Sequence, residues 1–296
     1  MSQALLDPEL MRRIDRLRVM PGRPGRGVGP GLRPGPRQGG GVELADYRAY
    51  APGDDPRQVD WKAYARLERY FLRLFVEEQA ATLHLLIDCS ASMAAGRPSK
   101  LDFARRLAAA LGYAALAGLD EVLIGAFPVA PAGAGRALRG RGATAGLLAT
   151  LAGLEAGGQA DLEAAVRRHA AAARRPGPLL LIGDLWDARW REGASAALAA
   201  GYDLALIQVL APEEREPSLA GLPTGALSLV DSETGERVEI ELDGELLERY
   251  RIALAEREAE IDAWCRARRL PFAVLTSDRD PGEGVLGLLR QLGLLG

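Results

Sequence analysis

At 296 residues, with 48% hydrophobic and 26% charged residues, the chain is long enough to bury a full core and has an ordinary globular composition. Its formal net charge of −3 argues against a general nucleic-acid binder, which needs a basic excess. Two distant cysteines, Cys89 and Cys265, and two histidines, His84 and His169, exclude a disulfide framework and a Cys- or His-rich metal site.

In chain order, Asp7-Pro8-Glu9 starts a helix, with Leu10, Ile14 and Leu17 on one face. No run of about 18 apolar residues exists, and the first ten residues lack a basic region followed by an apolar core, so a cytoplasmic protein without a membrane span is expected. Residues 21–41 contain nine Gly and five Pro and read as a linker. Residues 1–41 as a whole carry eight Arg against three acids, a basic arm that can meet phosphate or an acidic surface and more simply stays solvated.

Residues 42–79 differ in character, with aromatics that imply order and a strong turn at Pro52-Gly53-Asp54-Asp55-Pro56. Asp46, Asp54, Asp55 and Asp60 either complete a cation site or serve as caps and partners for Arg48, Arg57 and Arg66, the commoner arrangement. Tyr70–Val76 reads as a strand.

From Leu83 onward, strand and helix alternate. Leu83–Ile87, Glu121–Phe127, Leu179–Gly183, Asp203–Leu210 and Phe272–Thr276 read as strands, and Arg136–Arg139 as a short edge strand. Helices are expected after the Ser99 cap, from about Ala143 to Leu154, from Asp161, through Leu247–Trp264, and over 284–295. Two alternating runs around Thr234-Gly235 read as a β-hairpin inserted at about 225–243. Repeated strand–helix units imply a doubly wound, mostly parallel α/β sheet. His84 sits mid-strand and His169 mid-helix, and both are given structural roles, since a single packed histidine needs one partner.

The stretch Leu83–Met93, LHLLIDCSASM, carries the chemistry. An apolar run enters Asp88, and polar residues then fall at every second position: Asp88, Ser90 and Ser92. One carboxylate and two hydroxyls on a tight loop make half of a site for a hard cation such as Mg²⁺, although Asp and Ser also cap and turn. Leu179–Asp184 repeats the design. In a sheet of order 3-2-1-4-5-6 the first and fourth strands are neighbours at the switch point, which brings Asp184 to Asp88. Two carboxylates alone would repel, and a divalent cation between them removes the problem.

The Asp88-x-Ser90-x-Ser92 loop with Asp184 resembles the metal-ion-dependent adhesion site of von Willebrand factor A domains. Gly41-Val42-Glu43-Leu44, Tyr47-Arg48, Tyr50, Pro52-Gly53-Asp54-Asp55, Arg57 and Asp60-Trp61 resemble the signature of domain-of-unknown-function family 58, as do DSETGERVEI and the C-terminal LGLL. The resemblance implies three parts: a helix and linker over 1–41, a family-specific segment over 42–79, and a von Willebrand factor A-like domain over 80–296. It implies Mg²⁺ on Asp88, Ser90, Ser92 and Asp184, with Ala160 standing where a threonine ligand is expected. Asp54, Asp55 and Asp161 are candidate partner contacts. The implied function is a non-enzymatic adaptor that binds an acidic partner residue through the cation and works with a MoxR-type AAA+ ATPase. The rival is a Mg²⁺-dependent phosphatase with Asp88 as nucleophile, although Ser90 stands where such an enzyme has its second Asp.

Overall fold

The computed structural model describes residues 5–16, 43–51, 54–55, 59–76, 82–118, 121–129, 135–173, 175–217, 221, 225–280 and 282; the Gly/Pro-rich stretch 21–41 and the terminal helix expected over 284–295 lie outside them. The chain divides into two compact units, one of residues 1–25 with 81–296 and one of residues 26–80.

In the smaller unit, strand β1 (Glu43–Ala49) pairs antiparallel with β2 (Phe71–Val76), a sheet of their own. Between them lies helix α2 (Trp61–Leu67), whose first turn is held by Asp60, its Oδ1 accepting from the N–H of Lys62 and Ala63. Asp54 accepts the N–H of Ala51 at 2.8 Å, so it too ties down backbone. Tyr64 stacks on Tyr70 with ring centroids 4.5 Å apart, which accounts for the aromatic density of this segment.

The larger unit begins with helix α1 (Pro8–Arg16), which opens where Asp7 accepts the Glu9 N–H and buries Leu10 and Ile14. Its chain then runs through β3 (Thr82–Asp88), α3 (Lys100–Ala117), β4 (Glu121–Phe127), β5 (Leu138–Arg139), α4 (Thr144–Ala152), α5 (Leu162–Ala172) and β6 (Pro178–Gly183). It continues with α6 (Trp190–Ala199), β7 (Asp203–Leu210), α7 (Pro212–Arg215), β8 (Gly225–Val230), β9 (Arg237–Leu242), α8 (Gly244–Arg268) and β10 (Phe272–Thr276). Among the described residues one sheet of six strands forms, in the order β10-β7-β6-β3-β4-β5. Every pairing is parallel except that of β5 at the edge, where Leu138 and Arg139 face Val122 and Glu121.

The strands are apolar on both faces, apart from buried His84 in β3 and Gln208 in β7, because both faces of this sheet are covered. Leu85 and Ile87 point toward the side carrying α1, α3 and α4, where Leu107, Leu111, Leu147 and Leu151 pack. Leu86 points to the opposite side, with Val166 of α5, Trp190 of α6 and Ile261 of α8. By the two-residue period of a strand, His84 and Asp88 share the face of Leu86. Strands β8 and β9 form an antiparallel hairpin outside the main sheet, and none of their residues is buried.

Candidate functional site

Strand order reverses between β3 and β6, and the carboxyl ends of these two neighbours hold the polar residues. Ile87 is level with Ile182, so Asp88 stands beside Gly183. A Cβ on residue 183 would lie 2.6 Å from the Asp88 Cβ, so only glycine leaves room for that carboxylate. Asp88 and Asp184 are 4% and 2% exposed.

The loop after β3 is fixed by backbone bonds on two sides. Cys89 N–H donates to Phe127 O at 2.6 Å, Gly157 N–H to Cys89 O at 2.8 Å, and Ala91 N–H to Gly158 O at 2.9 Å. Asp88 Oδ1 accepts the Ser90 N–H at 2.8 Å. The Ser90 and Ser92 hydroxyls are 3.0 Å apart, and Ser92 donates to Asp184 Oδ2 at 2.7 Å. The four residues named from the strand ends therefore meet in one bonded chain.

Asp184 is the most constrained of them. Its Oδ1 accepts the Trp186 N–H at 3.2 Å, and its own carbonyl accepts from the buried Gln208 amide of β7 at 3.0 Å. Leu185 next to it is left-handed at φ 59° yet buried, a conformation that costs about 1 kcal/mol or more for a residue with a Cβ. Arg257 of α8 bonds the Leu185 carbonyl at 2.9 Å and helps to hold it.

The counter-charge for Asp184 is a side chain. Lys100, the first residue of α3, is wholly buried and its Nζ lies 2.8 Å from Asp184 Oδ2 and 2.6 Å from Glu214 Oε1. Burial works against the ammonium, but the Asp184 and Glu214 carboxylates outweigh it and hold its pKa above the usual lysine value. Glu214 is itself anchored, with Oε2 accepting the Ala211 N–H at 2.7 Å and its carbonyl accepting from Tyr250 of α8 at 2.6 Å. Asp88 has no such partner: among the described residues no ammonium or guanidinium pairs with it. Burial first, and the Asp184 carboxylate second, push its pKa up to about 7 against the Ser90 bonds that favour the anion. Between Asp88 and Ser90 the Cys89 thiol is raised to about 12 by burial and is a packing group.

The donor set suits a hard cation in kind, being all oxygen, with Asp88 uncompensated. Among the described residues no group of three or more His, Cys, Asp or Glu side chains is arranged to hold a metal ion, so an ion here would lean on the two hydroxyls. Ala160 follows the loop bonded to Cys89 and Ala91, and its N–H donates to Glu233 Oε2 at 3.1 Å. The other named acids are placed differently. Asp161 is exposed and caps α5 through the Ala164 N–H at 2.9 Å. Asp54 and Asp55 belong to the 26–80 unit.

Lys100, Gln208, Glu214 and Glu233 were not foreseen. Lys100 did leave a signal: the chain has only two lysines, the other being Lys62, among 37 basic residues. One of them opens a helix, where the dipole disfavours a cation. Glu214 follows the strand next to β6, at the same sheet edge. Glu233 lies in the turn segment DSETGERVEI that carries part of the family resemblance, but nothing in that pattern points it toward the site.

Fold and site together define an α/β protein with a mostly parallel sheet, flanking helices and a polar crevice at its switch point. The chain belongs to the family described as protein of unknown function DUF58, which residues 46–260 match. It is 31% identical over 259 residues to uncharacterised proteins of Mycobacterium bovis and Mycobacterium tuberculosis, covering 84% of this chain and 78% of theirs. Among solved structures it is similar to an aerotolerance-related membrane protein from Bacteroides fragilis, at 13% identity and a TM-score of 0.37 over 72% of this chain and 99% of that one, a likeness too slight to inform the fold. Among the described residues no helix is long and apolar enough to cross a membrane.

Proposed function

We propose that the crevice is a metal-dependent protein-interaction site. A divalent cation such as Mg²⁺ would be held by Asp88, Ser90 and Ser92, with Asp184 steadying Ser92 from behind, and would keep an open position for an Asp or Glu of a partner protein. What carries this reading is the asymmetry of the two buried carboxylates: Asp184 has Lys100, and Asp88 has no cation of its own among the described residues. The resemblance of this loop to the adhesion site of von Willebrand factor A domains supports it. So does the strand order, in which β3 and β6 flank the reversal. Ala160 supplies no hydroxyl, which favours weak binding completed by water or by the partner. The protein then acts as a cytoplasmic adaptor rather than an enzyme, and a MoxR-type AAA+ ATPase, or the protein on which it acts, is the partner the resemblance suggests.

Affinity capture from the native cell with and without a chelator tests this reading. We expect a partner retained only when Mg²⁺ is present, and lost with Asp88→Ala. Capture that is indifferent to both would end the proposal. One observation favours a phosphatase instead, namely that Lys100 lies in the same crevice. That ammonium is buried and already bonded to two carboxylates, so it is not offered to a phosphate. Turnover of an aryl phosphate that Asp88→Asn abolishes would reverse this preference.

A further inference from the structure

The hairpin β8–β9 is joined by a turn built to aim one side chain. Asp231 Oδ1 accepts the N–H of Glu233 at 2.8 Å and of Thr234 at 2.9 Å, and Gly235 takes the left-handed conformation at φ 74° that closes the turn. Every residue from 231 to 236 is exposed except Glu233, which is half-buried. Its Oε2 accepts the Ala160 N–H, 73 residues away in sequence, beside the loop that carries Ser90 and Ser92.

Between the apolar face of the hairpin (Leu227, Leu229, Ile240), the segment Ala94–Arg97 and Tyr250 lies a cavity of about 630 Å³. No residue of the two strands is buried, so the arm borders this space instead of packing into the core. An amide N–H cannot ligate a cation, but it can hold one oxygen of a carboxylate. Among the described residues no bond commits Glu233 Oε1.

We infer that Glu233 is the site's own acidic ligand, a carboxylate that the hairpin presents in the position a partner's Asp or Glu would take. Partner capture is then an exchange of one carboxylate for another, with the hairpin tip as the group displaced. This rests on the cation-bridge reading above and adds to it a resident occupant of the open position.

Calorimetric titration of the full chain with MgCl₂ tests it, comparing the parent, Glu233→Gln and Asp88→Ala, each with sodium acetate or with sodium chloride at equal ionic strength. We expect Asp88→Ala to abolish binding and Glu233→Gln to weaken it roughly tenfold or more. Acetate should restore most of the affinity of Glu233→Gln, because a free carboxylate can enter the vacated position, and should leave the parent unchanged. Hydrogen exchange at the Ala160 amide gives a readout independent of affinity: Glu233→Ala should speed it in the absence of metal, and a rate equal to the parent's would overturn the tip contact. If Asp88→Ala loses Mg²⁺ while Glu233→Gln binds it as the parent does, with no acetate effect, Glu233 is not a ligand and the site reading survives. If the parent binds no Mg²⁺, or Asp88→Ala binds it equally well, both fall.

Discussion

Strand β3 buries two titratable groups on one face, His84 and Asp88, and each meets a group of its own kind from a distant part of the chain. The histidine pair settles by losing charge. His84 Nδ1 and His169 Nε2 are 2.9 Å apart, one donating to the other, and the Tyr202 ring packs edge-on with its centroid 4.9 Å from that of His84. Burial, reinforced at His84 by His169, brings both pKa values down to about 4. The carboxylate pair settles by importing charge: Lys100 serves Asp184, and Asp88 is left over. A low-dielectric interior allows either exit. The neutral pair becomes core, whereas the charged pair leaves Asp88 without a cationic partner among the described residues, the feature on which the proposed function rests.

The comparison breaks most directly at Lys100. Lys100→Met leaves Asp184 and Glu214 without their ammonium and should cost about 3–5 kcal/mol, because removing one partner of a buried ion pair strands the other. Urea unfolding measures this, and adding Asp184→Asn to Lys100→Met should recover a large part of the loss. Equal stability of Lys100→Met and the parent would mean that the buried ammonium does not hold these two carboxylates in the folded protein. By the same reasoning Asp184→Ala is a poor probe of metal binding, since it takes from buried Lys100 one of its two carboxylate partners.

A smaller effect tests the space that both pairs occupy. Gly183→Ala would put a Cβ 2.6 Å from the Asp88 Cβ, and Gly125→Ala one 2.5 Å from His169 Nδ1. Each should cost about 1–3 kcal/mol as overpacking. Only Gly183→Ala should alter Mg²⁺ titration.

The smallest effect is in pH. The histidine pair binds protons less readily folded than unfolded, where the pKa is about 6.5. Stability from this pair is therefore complete above about pH 6.5 and is lost as pH falls toward about 4. Between pH 7 and 6 the loss from the two histidines together should be about 1.4 kcal/mol. His169→Gln should flatten the dependence by about half in urea unfolding repeated across that range, and an unchanged slope would show that other groups govern it.

Much of this architecture was legible because strands buried on both faces need nearly continuous apolar runs, and Leu83–Ile87, Leu179–Ile182 and Leu204–Leu210 are such runs, broken only by His84 and Gln208. Asp88 and Asp184 were legible because each ends one of them. Strand β1 was not read, since ELADYRA mixes charges with apolar residues and finds its partner only in β2. The histidine pairing was invisible because it depends on how α5 crosses β3, which no local pattern encodes. The site was read as two acids awaiting a metal. Folding gave one of them a lysine, and the groups that decide this, on α3, α7 and a hairpin tip, come from segments whose own sequence patterns concern capping and turns.

The near absence of lysine has a practical side. Lys62 is exposed and Lys100 is sealed, while the rest of the 37 basic residues are arginine. An amine-directed acylating reagent thus finds one open side chain and one shut behind the crevice. The extent of reaction at position 100 counts how often that crevice opens, read by mass against the constant signal from position 62.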